Sequence, residues 1–179
     1  MCVLCQANSL EHAIELIKID IDEIGWAVVT EPGAQGRPAW VHTVGLEQSC
    51  GHPELLVVTC DVHKALEVLD AFAYEVYVED ALLPGDRIST DEFGEVEVVA
   101  VSEAQRNTPL LPVRTRYDSA IGWALPQCPP LQVLVPGLSC PSHPIDRWRL
   151  DRPYPLLAGN TQAPRHVRRR RARHDRGQS

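Results

Sequence analysis

The run Leu55-Leu-Val-Val-Thr-Cys60 constrains the fold more than any other stretch, because it offers no clearly polar face. A strand of that kind is buried on both sides and belongs at the centre of a sheet. Ahead of it, Ala39 to Leu46 (AWVHTVGL) reads as a second strand and Trp26-Ala-Val-Val-Thr30 as a first. Glu31-Pro-Gly-Ala-Gln-Gly-Arg-Pro38 joins these two as a turn-rich connection, of a length that suits a hairpin with a long loop.

The layer that covers such a sheet is legible as well. Leu10, Ile14, Ile17, Ile21 and Ile24 recur at helical spacing, with Asp20, Asp22 and Glu23 mainly on the other side. Asn8 or Ser9 can cap this helix and Gly25 ends it. Asp61 caps a second helix, whose stripe is Val62, Leu66, Leu69, Ala73 and Val76, widened by Ala65 and Phe72. After a turn at Leu83-Pro-Gly-Asp86, Glu95 to Val101 alternates acid and apolar residues, as a strand with one wet face does. Ten of the fifteen prolines fall between Pro109 and Pro155, which leaves room for little beyond short strands such as Leu131 to Val135.

The expected fold is therefore α+β: a mainly antiparallel sheet packed with two helices, followed by an irregular proline-rich C-terminal region. It occupies a single domain over residues 9–158, after an N-terminal Cys-x-x-Cys segment over 1–8. Residues 159–179 form an Arg-rich tail that is expected to be disordered, since such polar sequence buries too little surface to offset its ordering entropy.

Charge narrows the partners. Seven arginines and one aspartate lie in the last fifteen residues, which leaves 10 basic and 23 acidic residues in the other 164. An acidic body repels phosphates, so nucleic acid contact is expected only through the tail, and without interleaved aromatics it would be non-specific. No apolar run approaches the length of a membrane span, and Met1-Cys-Val-Leu-Cys-Gln6 lacks the pattern of a signal peptide. The expectation is a cytoplasmic protein whose six cysteines are thiols or metal ligands.

The chemistry-bearing residues concentrate between Trp40 and Leu55. On a strand, Trp40, His42, Val44 and Leu46 share one face, and Val41, Thr43 and Gly45 the other. Two readings compete. In the structural one, His42 is a core imidazole with one backbone partner, Gly45 marks a bulge or close approach, and Glu54 holds the adjoining loop by accepting backbone N–H groups. In the functional one, Trp26, Trp40, His42, Thr43 and Glu54 build a small-ligand or catalytic pocket at the rim of the sheet, with Gly45 letting a ligand near the backbone.

Two half-motifs, Cys2-x-x-Cys5 and Cys140-x-x-His143, have zinc-ligand spacing, and a shared zinc would staple the N-terminus to the proline-rich region. Cys50-Gly-His52 lacks an orienting acid and an oxyanion loop for a thiol nucleophile, and Cys60 reads as a core residue. There is no Walker loop, Gly-x-Gly-x-x-Gly, Gly-x-Ser-x-Gly or His-Glu-x-x-His.

Gly25-Trp26, Pro38-Ala-Trp-Val-His-Thr-Val-Gly-Leu46 and Gly51-His-Pro-Glu-Leu55 together resemble the signature of a bacterial family of unknown function, numbered 4262. The resemblance covers roughly residues 10–105, and an early Cys-x-x-Cys also occurs in that family. His42 stands where the family usually has tyrosine. The family implies no substrate. A flavin-binding split barrel is a fold analogy that lacks a basic partner for the phosphate, so flavin is not expected. Three functional readings stand: a rim pocket for a small molecule, a zinc-stapled interaction protein, and a nucleic-acid accessory protein acting through its tail.

Overall fold

Ser9 starts the first helix: its hydroxyl accepts from the backbone N–H of His12 at 3.1 Å, and α1 runs from Leu10 to Ile24. Gly25, at φ 97°, ends it by donating its N–H to the carbonyl of Ile21. The computed structural model describes residues 6–31, 38–102, 128–139, 149–151 and 167–169. Ala13, Ile17 and Ile21 form the buried face of α1, whereas Leu10 and Ile24 stay exposed, because the patch that the helix meets is small, consisting of Ala27, Val29 and Val44.

Six strands make the body of the sheet: β1 (Ala27–Glu31), β2 (Ala39–Val44), β3 (Leu55–Thr59), β4 (Arg87–Thr90), β5 (Gly94–Ala100) and β6 (Leu131–Leu134). Their order is β1-β2-β3-β6-β5-β4, and the short β7 (Val167–Arg169) lies parallel to β4 at the far edge. The apolar β3 is interior, as its sequence requires, with β2 antiparallel on one side and β6 parallel on the other. The parallel step arises because the chain leaves β3 through α3 (Val62–Val78), makes the β4–β5 hairpin, and returns to β3 only with β6. The fold is α+β with a mainly antiparallel sheet.

Each face of the sheet has its own cover. On one, α3 presents Ala65, Leu66, Val68, Leu69, Phe72, Ala73 and Val76 to Val41, Leu55, Val57, Val98, Leu131 and Val133, which is the main core. On the other, α1 covers β1 and β2, and Leu150 packs with Leu56 and Val101. The segment Arg149–Asp151 is strapped there. Arg149 donates to both carboxylate oxygens of Glu97 at 2.9 Å, Leu150 N–H donates to Gln132 Oε1 at 2.7 Å, and Ser102 N–H donates to the carbonyl of Leu150 at 2.7 Å.

Three expectations are corrected. Among the described residues a further helix joins the two expected: the expected strand stops at Val44, and Leu46–Cys50 forms a short helix, α2. β4 has no strand pattern in sequence, because Arg-Ile-Ser-Thr carries a single apolar residue, Ile88, which is buried. The face of β5 expected to be wet is partly roofed by Arg149 over Glu97. Cys60 is exposed, since β3 ends at Thr59 and the inward hydroxyl there accepts the backbone N–H of Asp61 at 2.8 Å, turning the chain into α3. Among the described residues, no helix is long and apolar enough to cross a membrane.

Candidate functional site

Thr43 and Glu54, two of the five candidate residues, meet. The Thr43 hydroxyl donates to Glu54 Oε2 at 2.6 Å and accepts the backbone N–H of Leu55 at 2.8 Å. Glu54 Oε1 accepts from the backbone N–H groups of Gly45 at 2.9 Å and Glu47 at 3.3 Å. Both side chains are buried, so these charge-assisted bonds act where water does not compete. They close a ring that pins the end of β2, the start of α2 and the start of β3 together. Glu47 extends it, accepting the backbone N–H of Cys128 at 3.1 Å just before β6.

Gly45 is the hinge of this ring. Its φ is 113°, in the left-handed region that side chains avoid, and a Cβ there would lie 2.8 Å from Ile21 Cγ1 and 3.1 Å from the carbonyl oxygen of Gly25. The close approach that the sequence suggested is thus to α1 and its cap. It is a turn out of the strand, not a bulge within it.

The other candidates lie elsewhere. His42 is buried on the face opposite Thr43, between Val29 and Leu56 in register, and its Nδ1 donates to the carbonyl of Thr43 at 3.0 Å. Trp40, on that same face, packs against the cluster of Leu56, Val101 and Leu150. His52 donates from Nδ1 to the carbonyl of Pro53 at 2.7 Å, while its Nε2 accepts the backbone N–H of Leu82 at 3.1 Å, tying the α2–β3 connection to the chain after α3. Cys50 bonds the carbonyl of Leu46 at 3.2 Å, so both members of Cys50-Gly-His52 are engaged with backbone groups.

Trp26 lines a cavity. It sits between Gly25 and β1, donates its indole N–H to Asp70 Oδ1 on α3 at 3.1 Å, and meets the ring of Tyr77 at 5.8 Å between centroids and 55° between planes. Gly25 permits that tilted ring contact, since a Cβ would fall 2.6 Å from Tyr77 Cε2. Beside the indole is a cavity of about 290 Å³, lined by Gln6, Leu16, Asp20, Ile24, Trp26, Ala27, Val28 and Asp70. It lies at the β1 edge of the sheet, between α1 and α3.

The carboxyl of Asp20 is held above its ordinary value. Burial is the main cause, and the negative charges of Glu23 and Asp70 add to it against the positive charge of the amino terminus. Helical spacing assigned Asp20 to the wet side of α1, and nothing local marks Asp70. What reveals both is the indole that joins α3 to β1, a contact between residues 44 apart in sequence. Among the described residues, no three or more His, Cys, Asp or Glu side chains cluster as metal ligands. Cys2, Cys5, Cys140 and His143 lie outside the described residues, as does all of the Arg-rich tail except Val167–Arg169.

A family model described as "Domain of unknown function (DUF4262)" matches residues 20–137, about two thirds of the chain. The chain belongs to the DUF4262 family. The DUF4262 match starts at Asp20, takes in Trp26, the Thr43–Glu54 ring and Asp70, and runs through β6 to Gly137. It reaches past the stretch on which the resemblance rested and so includes the strand that completes the centre of the sheet. Neither the search of curated proteins nor that of solved structures gave a match.

Proposed function

We propose that this DUF4262 protein binds a small molecule at the rim of its sheet, in the cavity beside Trp26. The observation that carries this reading is the cavity itself: about 290 Å³, near the lower end of the range used by small ligands, with a wall shared between apolar side chains and polar groups. That space equals roughly ten water molecules, enough for a compact metabolite. Leu16, Ile24, Ala27 and Val28 supply the apolar wall, and Asp20, Asp70 and Gln6 the polar groups. Asp20 supports the reading too, since a carboxyl held above its ordinary value in a cleft marks a candidate site.

On this reading, Thr43 and Glu54 are positioning residues. They hold Gly45, which abuts Ile21 of α1 and the carbonyl of Gly25, next to Trp26. His42 and Trp40 belong to packing on the far face of β2 and have no part in the pocket.

Native mass spectrometry of the purified protein, before and after incubation with a bacterial metabolite extract, tests the proposal. Wild type is expected to retain a small-molecule adduct. Ile24→Trp, which fills the mouth from a position that is 47% exposed and tolerant of bulk, is expected to lose it. Absence of any adduct in the wild type, or equal retention by both proteins, overturns the pocket.

A further inference from the structure

Two of the thiols are brought to one end of the sheet. β3 and β6 run parallel, with Leu55 beside Leu131, so the segments that lead into them approach from the same side. Cys50 precedes β3 and Cys128 precedes β6 by a few residues each. Glu47 joins the two. It stands three residues before Cys50 on α2, a spacing that puts side chains on one flank of a helix, and its Oε1 accepts the backbone N–H of Cys128 at 3.1 Å. The approach to each strand is stiff. Cys128 is followed by Pro129 and Pro130, whose rings fix φ, and Leu131 then donates its N–H to the carbonyl of Glu54 at 2.8 Å. On the other side, Pro53 and His52, bonded through both ring nitrogens, hold the turn after α2. Both cysteines are free thiols, Cys50 exposed and Cys128 half-buried, and Cys60 lies at the opposite end of β3.

We propose that Cys50 and Cys128 form a reversible disulfide, a redox clasp that ties α2 to the entry of β6 across the parallel step of the sheet. The inference is independent of the cavity beside Trp26. Cys50, the more exposed thiol, is the one that meets an oxidant first, and a small-molecule disulfide of the glutathione class is that oxidant. The Cys50 thiolate attacks one sulfur of it, a mixed disulfide forms and one thiol leaves. The Cys128 thiolate then attacks the Cys50 sulfur and expels the second thiol. The two protons that the protein thiols give up end on the two leaving thiols, and two electrons pass from the protein to the small disulfide. In the reduced protein the Cys50 thiol donates to the carbonyl of Leu46 at 3.2 Å. Pairing requires Cβ atoms within about 4.5 Å, so the Cys50 sulfur leaves that carbonyl and turns along the flank of α2 that carries Glu47. Closing a loop of roughly 80 residues removes much of the freedom of the unfolded chain, so the oxidised protein is the more stable form.

Incubation of the reduced full chain with oxidised glutathione, followed by alkylation and non-reducing peptide mapping, tests the clasp. Chymotrypsin with a glutamyl endopeptidase cuts between Cys50 and Cys60 and between Cys128 and Cys140, so each pairing has its own mass. The expected product is a Cys50–Cys128 linked peptide, formed within one chain and reversed by dithiothreitol. Cys50→Ser and Cys128→Ser are each expected to abolish it, and Cys60→Ser to leave it unchanged. Oxidised wild type is expected to melt at least about 5 °C above the reduced protein, a gap that Cys50→Ser removes. No reaction at all, a glutathione adduct on Cys50 without an internal link, a link between two copies, or a pairing of either cysteine with another thiol overturns the proposal. So does a Cys50–Cys128 link that leaves Tm unchanged, since a clasp must hold together elements that otherwise come apart.

Discussion

The hydroxyl of Thr43 works in two directions, donating to Glu54 and accepting from the backbone N–H of Leu55, and so ties the end of β2 to the start of β3. Thr43→Val keeps the shape and removes both bonds, leaving a buried carboxylate oxygen and a buried N–H short of a partner. We expect a loss of about 1–3 kcal/mol in urea unfolding, with Thr43→Ser recovering most of it. A Val variant as stable as wild type would show that the ring is ornamental. Thr43, Gly45 and Glu54 could each be singled out from the sequence, because a hydroxyl, a glycine and a carboxylate stand out between apolar strands. Their joining could not. It depends on the antiparallel register that sets His42 opposite Leu56 and so brings Thr43 beside the start of β3. The left-handed φ of Gly45 was equally illegible, since glycine suits a bulge, a close approach or a turn, and only the position of Ile21 selects the turn.

At the level of elements, helices α1 and α3 announced themselves through caps and apolar stripes, and β3 through its lack of a polar face. The strap Arg149–Asp151 gave no such signal, because three residues carry no periodicity. Its hold comes from the fork of Arg149, bonded to Glu97 through two nitrogens and to Asp151 through two further contacts at 2.9 and 3.2 Å, with the arginine side chain 12% exposed. The bonds to Glu97 are the main reason that its guanidinium is held above its usual value, so it stays charged throughout the accessible pH range. Arg149→Met preserves bulk and leaves two partly buried carboxylates facing each other. The expected cost is about 2 kcal/mol by calorimetry, with faster hydrogen exchange at the Leu150 and Ser102 amides, which the strap protects. Unchanged exchange at those two amides would assign the strap's stability to Leu150 packing instead. The short strand β4 is the same lesson in a regular element: one apolar residue, Ile88, is too little to read, yet pairing with β5 supplies the rest.

Across the whole molecule, the Asp20 carboxyl couples the cavity to stability. Its value is raised in the folded state above the ordinary 3.8, so the folded protein takes up the proton before the unfolded chain does. Stability therefore rises as pH falls through the raised value, and this gain is complete once pH is below the ordinary one. Above both values the carboxylate is charged in either state and the fold carries its penalty. Asp20→Asn is accordingly expected to raise Tm at pH 7, with an increment that shrinks toward zero near pH 3. An Asn variant less stable than wild type at pH 7 would mean that Asp20 has a stabilising partner and that its burial carries no penalty. A stability cost retained at one position of a cleft is what binding sites commonly show. The sequence by itself determined the class of the fold, the helices with their caps, the interior place of β3 and the residues from which the Thr43–Glu54 ring is made, because periodicity, capping and turn chemistry act over a few residues. Only the tertiary structure decided the parallel pairing of β3 with β6, the roof over Glu97 and the cavity at Trp26. Those depend on which surfaces meet, since a carboxylate such as Asp20 is shielded from water only when another element packs over it.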